Sequence, residues 1–168
     1  MIASELSNYI EGLCSRHKKL RHRPHDIHFV NLSEDKKQTF LSERMHYPCV
    51  VFSMGDYSFD GMGTDVKKVQ TCRLQVLTHV RDTADYCDIE EKLSLCDSIL
   101  SDIFAKMLDD RHKGTEPSLR AFDIDGLKVQ RIENQSNALY GYHTEFTLSE
   151  QLCVVDRLNN FEPIKQEI

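Results

Sequence analysis

Apolar residues in the segment Asp85 to Asp110 recur at steps of four and three: Ile89, Leu93, Cys96, Leu100, Ile103 and Met107. At 3.6 residues per turn this spacing places all six on one face of a helix. Leu95, Ile99, Phe104 and Leu108 widen that face to the breadth of a helix laid across a sheet. Asp82, Thr83, Asp85 and Asp88 precede it and supply N-cap oxygens and favourable charge for the helix dipole. A second helix is predicted from Ala3 to Leu20 by Ile2, Leu6, Ile10, Leu13 and Leu20, with Pro24 as its stop.

Between and after these helices the pattern shortens to period two. Tyr47 to Ser53 is a strongly apolar strand with Pro48 at its entrance. Val69 to Val80 sets Cys72, Leu74, Val76 and Val80 against Arg73, Gln75 and His79. Ser118 to Ile132 reads as a strand or, broken at Asp125-Gly126, a hairpin. Leu139 to Leu148 alternates as a fourth main strand, after a turn at Asn134 to Asn137. Ile27 to Leu32 is a short extended piece, and Ser33-Glu34-Asp35 opens a short helix reaching about Arg44. The prediction is an α+β fold: a mainly antiparallel sheet of about four strands packed on a long helix and an N-terminal helix. Residues 1–155 form a single domain, and the polar stretch 156–168 is a C-terminal arm.

Met54 to Lys68, with Gly55, Gly61 and Gly63, is expected to be a loop between strands. It carries Tyr57, Phe59 and Met62, apolar side chains suited to docking if the loop leaves the sheet. Together with Phe161 on the C-terminal arm they are the candidate interface residues. The same loop matches the first half of a calcium-binding pattern at Asp56, Ser58, Asp60 and Gly61. The match fails at its twelfth position, where Lys67 stands in place of glutamate.

The chain of 168 residues is large enough for a core, and its net charge of −6 argues against general coating of nucleic acid. The exception is local: Arg16 to Arg23 is rich in cations and histidines. His22, His25 and His28 repeat every third residue, the donor type of a zinc site, but Pro24 disrupts the helix that such spacing needs. A zinc enzyme or metal-binding regulator built on these three histidines is the alternative reading, and a partner-recruiting module using Tyr57 and Phe59 is another. The six cysteines form no CxxC pair and fit a reducing compartment. No catalytic serine or cysteine signature is present, and the paired acids Asp109-Asp110 and Asp123/Asp125 read as element ends. No run reaches membrane-spanning length.

The order of these pieces carries more than any one of them. A helix leads, past His28-Phe29, into a Tyr-Pro-apolar strand (Tyr47 to Phe52) and a glycine-rich excursion. The strand LQVLTHV then runs into the acidic helix start DTADYCDIEEKL, and the closing strands end in LYGYHTEFTL. In this order, over roughly Ala3 to Leu152, the chain resembles the tail-terminator and head–tail joining proteins of tailed bacteriophages, most of all those of Bacteroides-type phages or prophages. The resemblance implies a structural virion protein that forms a homo-oligomeric ring, typically a hexamer. Such a ring caps the tail tube, meets the neck or connector proteins of the head, and is assembled in the bacterial host cytoplasm. It implies no enzyme activity, no cofactor and no sequence-specific nucleic-acid binding, the genome at most passing through the lumen.

Overall fold

A five-stranded sheet carries two helices on one face. The computed structural model describes residues 2–31, 45–62, 65–122 and 127–152. In chain order the elements are α1 (Ile2–Arg16), β1 (Phe29–Asn31), β2 (Cys49–Met62), β3 (Asp65–His79), α2 (Tyr86–Lys113), a 3-10 turn (Pro117–Ala121), β4 (Lys128–Asn134) and β5 (Leu139–Gln151). The strands lie in the order β1-β2-β3-β5-β4. All neighbours are antiparallel except β1, which runs parallel to β2 through Phe29↔Val50, Val30↔Val51 and Asn31↔Phe52. The α+β class therefore holds, with a fifth, parallel strand added to the four expected. Its origin is the short extended piece after Ile27.

The long helix forms as its pattern predicts. Asp85 caps it, accepting from the backbone N–H of Cys87 and Asp88. Gly114 ends it in the left-handed conformation (φ 65°), with Arg111, His112 and Lys113 in the last turn facing the negative end of the dipole. Ile89, Leu93, Cys96, Ile99, Leu100, Ile103 and Met107 are all buried, whereas Leu108, assigned above to the apolar face, is 39% exposed. α1 stops four residues earlier than the apolar spacing suggests. A turn follows Arg16, and it still tucks Leu20 into the core.

The main core lies between the helices and one sheet face. Leu6, Ile10 and Leu13 of α1 meet Ile99, Ile103 and Met107 of α2, over Val50, Phe52, Cys72, Leu74, Val76, Phe146 and Leu148 of the sheet. Each fully buried aliphatic side chain contributes roughly 1.5–3 kcal/mol by leaving water. Phe122 sits between Phe146, edge-on at 5.1 Å, and Phe104, stacked at 6.3 Å. It also bridges to Leu148 across the β5 edge. Ser118 to Ala121 is thus not the start of a strand: Pro117 and the cap Glu116, which accepts from Ser118 N–H, wind it into a 3-10 turn that delivers Leu119 and Phe122 to the core. A smaller cluster of Val30, Met45, Cys49, Val51 and Leu77 lies on the opposite face.

The largest departure concerns Met54 to Lys68. This stretch is not a loop: β2 runs on to Met62 and β3 begins at Asp65, so the two strands form a ribbon about 45 Å long. Gly63 and Thr64, the short helix expected after Ser33, Asp123 and Asp125, and the arm 156–168 with Phe161 lie outside the described residues.

Candidate functional site

Among the described residues the distal ribbon holds four of the seven exposed large apolar side chains: Met54, Tyr57, Phe59 and Met62. Along β2 the residues Cys49 to Ser53 are buried and Met54 to Met62 are exposed, although the strand is continuous. Between these halves lies a β-bulge: Met54 pairs with Cys72, but Tyr57 pairs with Gln70, so Gly55 and Asp56 together oppose Thr71. Gln70 fastens the bulge by donating its side-chain amide to the Gly55 and Asp56 carbonyls.

The extra residue changes which way the side chains face. Before it, the even-numbered Val50 and Phe52 point to the helices, and odd-numbered positions point away. After it, Tyr57 and Phe59 share the face of Gln70 and Cys72, the helix side. Met54, Tyr57 and Phe59 thus form one apolar stripe beyond the reach of the helices, 43%, 58% and 58% exposed. Tyr57 and Phe59 pack edge-to-face at 5.8 Å, and Lys68 Nζ lies 4.4 Å from the Tyr57 ring centre. Met62, at the tip on the other face, is 89% exposed. β5 stiffens the ribbon by pairing with β3 as far as Lys67↔Gln151, and Gln151 Nε2 donates to Asp65 Oδ1 at 2.8 Å.

Of the sequence-predicted interface residues, the structure therefore brings Tyr57 and Phe59 together and puts Met62 beyond them. Met54, Lys68 and the bulge were missed. The alternation Tyr57-Ser58-Phe59-Asp60 was the available signal for a strand; the glycines around it pointed to a turn. Ser58 and Asp60 of the half calcium pattern lie on extended backbone, with Asp56 in the bulge.

Two of the three histidines, His22 and His28, have structural roles. His22 Nδ1 accepts the backbone N–H of both His28 (3.0 Å) and Phe29 (3.1 Å), and its Nε2 faces Glu11 at 3.4 Å. His28 is buried; its Nδ1 donates to the Pro48 carbonyl at 2.6 Å, and its Nε2 lies 3.0 Å from Asp26. His25 is exposed. Among the described residues no group of three His, Cys, Asp or Glu stands where it could hold a metal ion.

Asp110 and the buried thiols are likewise tied to the fold. Asp110 accepts from Tyr9 Oη (2.8 Å), Lys106 Nζ (2.7 Å) and Thr115 Oγ1 (3.2 Å), joining α1 to the end of α2. The Lys106 bond first, then that from Tyr9, hold its carboxyl below the usual range. Burial and Asp110 together raise the Tyr9 phenol far above its ordinary value. Burial pushes the Cys14, Cys72 and Cys96 thiols up to about 12, which makes them poor nucleophiles. A shallow cleft of about 210 Å³ between α1 and α2 is lined by Leu13, Arg16, His17, Asp102, Ile103 and Lys106. Its His17 ring is already held, by Asp102 at 3.2 Å and by the Lys19 N–H at 3.2 Å. Among the described residues no helix is long and apolar enough to cross a membrane.

Against models of known protein families and against curated proteins, the sequence has no match.

Proposed function

We propose that this chain is a structural, self-assembling subunit of the head–tail joining or tail-terminator type, which forms a ring that caps a phage tail tube and meets the neck. One observation carries the reading. A stiff, three-strand-supported ribbon projects an aromatic and methionine stripe away from the core that the helices cover. Among the described residues nothing buries these apolar side chains, and large apolar side chains left in water are disfavoured unless another surface receives them. In a ring the receiver is a neighbouring copy or the end of the tube.

The network chemistry is compatible with a mechanical part. Buried thiols are insulated, and the acids and histidines at element ends fix one element to another. The test is co-assembly. Mixed with a phage tail-tube protein, the chain should form rings or tube caps visible by electron microscopy. Tyr57→Ser/Phe59→Ser should prevent this while leaving the circular dichroism spectrum unchanged. Rings that form equally well from that variant would remove the ribbon from the reading, and tubes left uncapped by the wild type would overturn the reading itself.

A further inference from the structure

Two oppositely charged surfaces sit over opposite edges of the sheet. The ten residues 16–25 contain Arg16, Lys18, Lys19, Arg21 and Arg23 and no acid; the ten residues 82–91 contain Asp82, Asp85, Asp88, Glu90 and Glu91 and no lysine or arginine. In a chain of net charge −6 the first is an island of opposite sign.

The basic surface is rigid. Leu20 is buried, His22 N–H donates to the Cys14 carbonyl, and His22 Nδ1 fixes the backbone just ahead of β1. This turns the five cations outward, all of them exposed. The nearby acids are engaged elsewhere, Glu11 with His22, Asp26 with His28 and His46, and Asp102 with His17. None of the five cations forms an ion pair among the described residues. Five cations beside three carboxylates, none of which pairs with any of the five, leave this surface net positive, and an acidic surface relieves it.

The acidic surface is the start of α2, beside the other outer strand: Glu90 accepts from Arg131 of β4 at 3.0 Å. Asp82 accepts from the Ala84 N–H in the preceding turn and Asp85 caps α2, while Asp88 and Glu91 have no cationic partner among the described residues; Arg81 and Lys92 flank the cluster. In its midst Tyr86 is 69% exposed, a flat ring suited to a guanidinium. β1 and β4 are the two ends of the sheet order. A basic surface at one edge and an acidic, aromatic-centred surface at the other are complementary only between different copies.

We infer that residues 16–25 of one copy dock on the α2 start of the next, with Arg21 and Arg23 facing Asp88, Glu91 and Tyr86. The partner is a second copy of this chain, and the contact is heterologous, the type that repeats head to tail until it closes. This inference rests on the self-assembly reading above and adds the surfaces by which neighbours choose each other.

Charge reversal tests it. Arg21→Glu/Arg23→Glu and Asp88→Lys/Glu91→Lys should each weaken self-association at least ~tenfold, read by sedimentation velocity at low salt. An equimolar mixture of the two variants should restore it, because each then offers the other a matching surface. The four-fold variant should restore it alone. Misfolded proteins would not rescue each other, so recovery separates docking from damage. If the wild type associates and both variants associate equally well, this inference fails and the self-assembly reading stands. If the wild type remains monomeric at every concentration, with a tail-tube protein present or absent, both fail. If the arginine variant keeps the wild-type mass but loses retention of a short DNA duplex, the basic surface serves phosphate and the inference is overturned.

Discussion

The two halves of β2 make a controlled comparison within one strand. Cys49 to Ser53 is buried on both faces; Met54 to Met62 is exposed on both. Both halves pair with β3, and both carry aromatic or large apolar residues. The difference lies in what stands above them among the described residues: helices and a loop cluster over the first, neither of these over the second. Strand pairing, the Tyr57–Phe59 and Lys68–Tyr57 contacts and the side-chain bonds of Gln70 and Gln151 thus sustain the ribbon, although no residue from Met54 to Met62 is buried. Changes in the first half should therefore be read out as stability, and those in the second as association.

The largest contrast is expected between Phe52→Ala and Phe59→Ala. The first removes a fully buried ring and should cost about 3–5 kcal/mol in denaturant unfolding. The second should cost within about 1 kcal/mol. Equal costs would mean that the ribbon is part of the folding core.

Two glycines sharpen the comparison. A Cβ at Gly141 would stand 2.0 Å from the Val76 carbonyl oxygen, and one at Gly61 would stand 1.9 Å from that of Asp65. The collisions are alike; the settings are not. Gly141→Ala forces β3 and β5 apart under the helices and should lower stability by roughly 1–3 kcal/mol. Gly61→Ala, at φ 125°, should fray only the ribbon tip, seen as faster amide exchange near Asp65 and Val66 with little change in global unfolding.

A smaller effect is expected where α1 meets α2. Tyr9→Phe removes the hydrogen bond to Asp110 and should cost roughly 2 kcal/mol. Because the Asp110 carboxyl titrates lower in the folded state than its ordinary 3.8, the stability it lends is present above that value. It is lost as pH falls through 3.8 towards the depressed folded value. Asp110→Asn should flatten this acid limb, and an unchanged limb would assign it to other carboxylates. The smallest effect is chemical: in a Cys153→Ser background a thiol reagent should modify exposed Cys87 quickly and buried Cys14, Cys49, Cys72 and Cys96 only on unfolding.

The same contrast explains what the sequence could say. The α2 stripe was legible because a helix on a sheet imposes a period, and all six of its spaced residues are buried. The ribbon was misread because its residues obey no burial pattern: an exposed strand keeps glycine and aspartate that a half-buried strand would lose. β1 is only three residues long, and its parallel pairing is fixed by where α1 deposits the chain, which no local pattern records. The aromatic stripe was visible as Tyr57 and Phe59, but its face was not, since one bulge residue reverses it. The histidine triplet looked like ligands because spacing is visible in sequence; the backbone N–H groups that His22 serves are not.

Under the proposed function the exposed ribbon joins this chain to others. Sedimentation equilibrium of the wild type beside Tyr57→Ser/Phe59→Ser/Met62→Ser tests it most directly. The wild-type mass should rise with concentration to multiples of 19.5 kDa, and a triple variant of equal thermal stability should associate far less. A wild type that stays at 19.5 kDa throughout, or a variant that assembles as well as its parent, would contradict it.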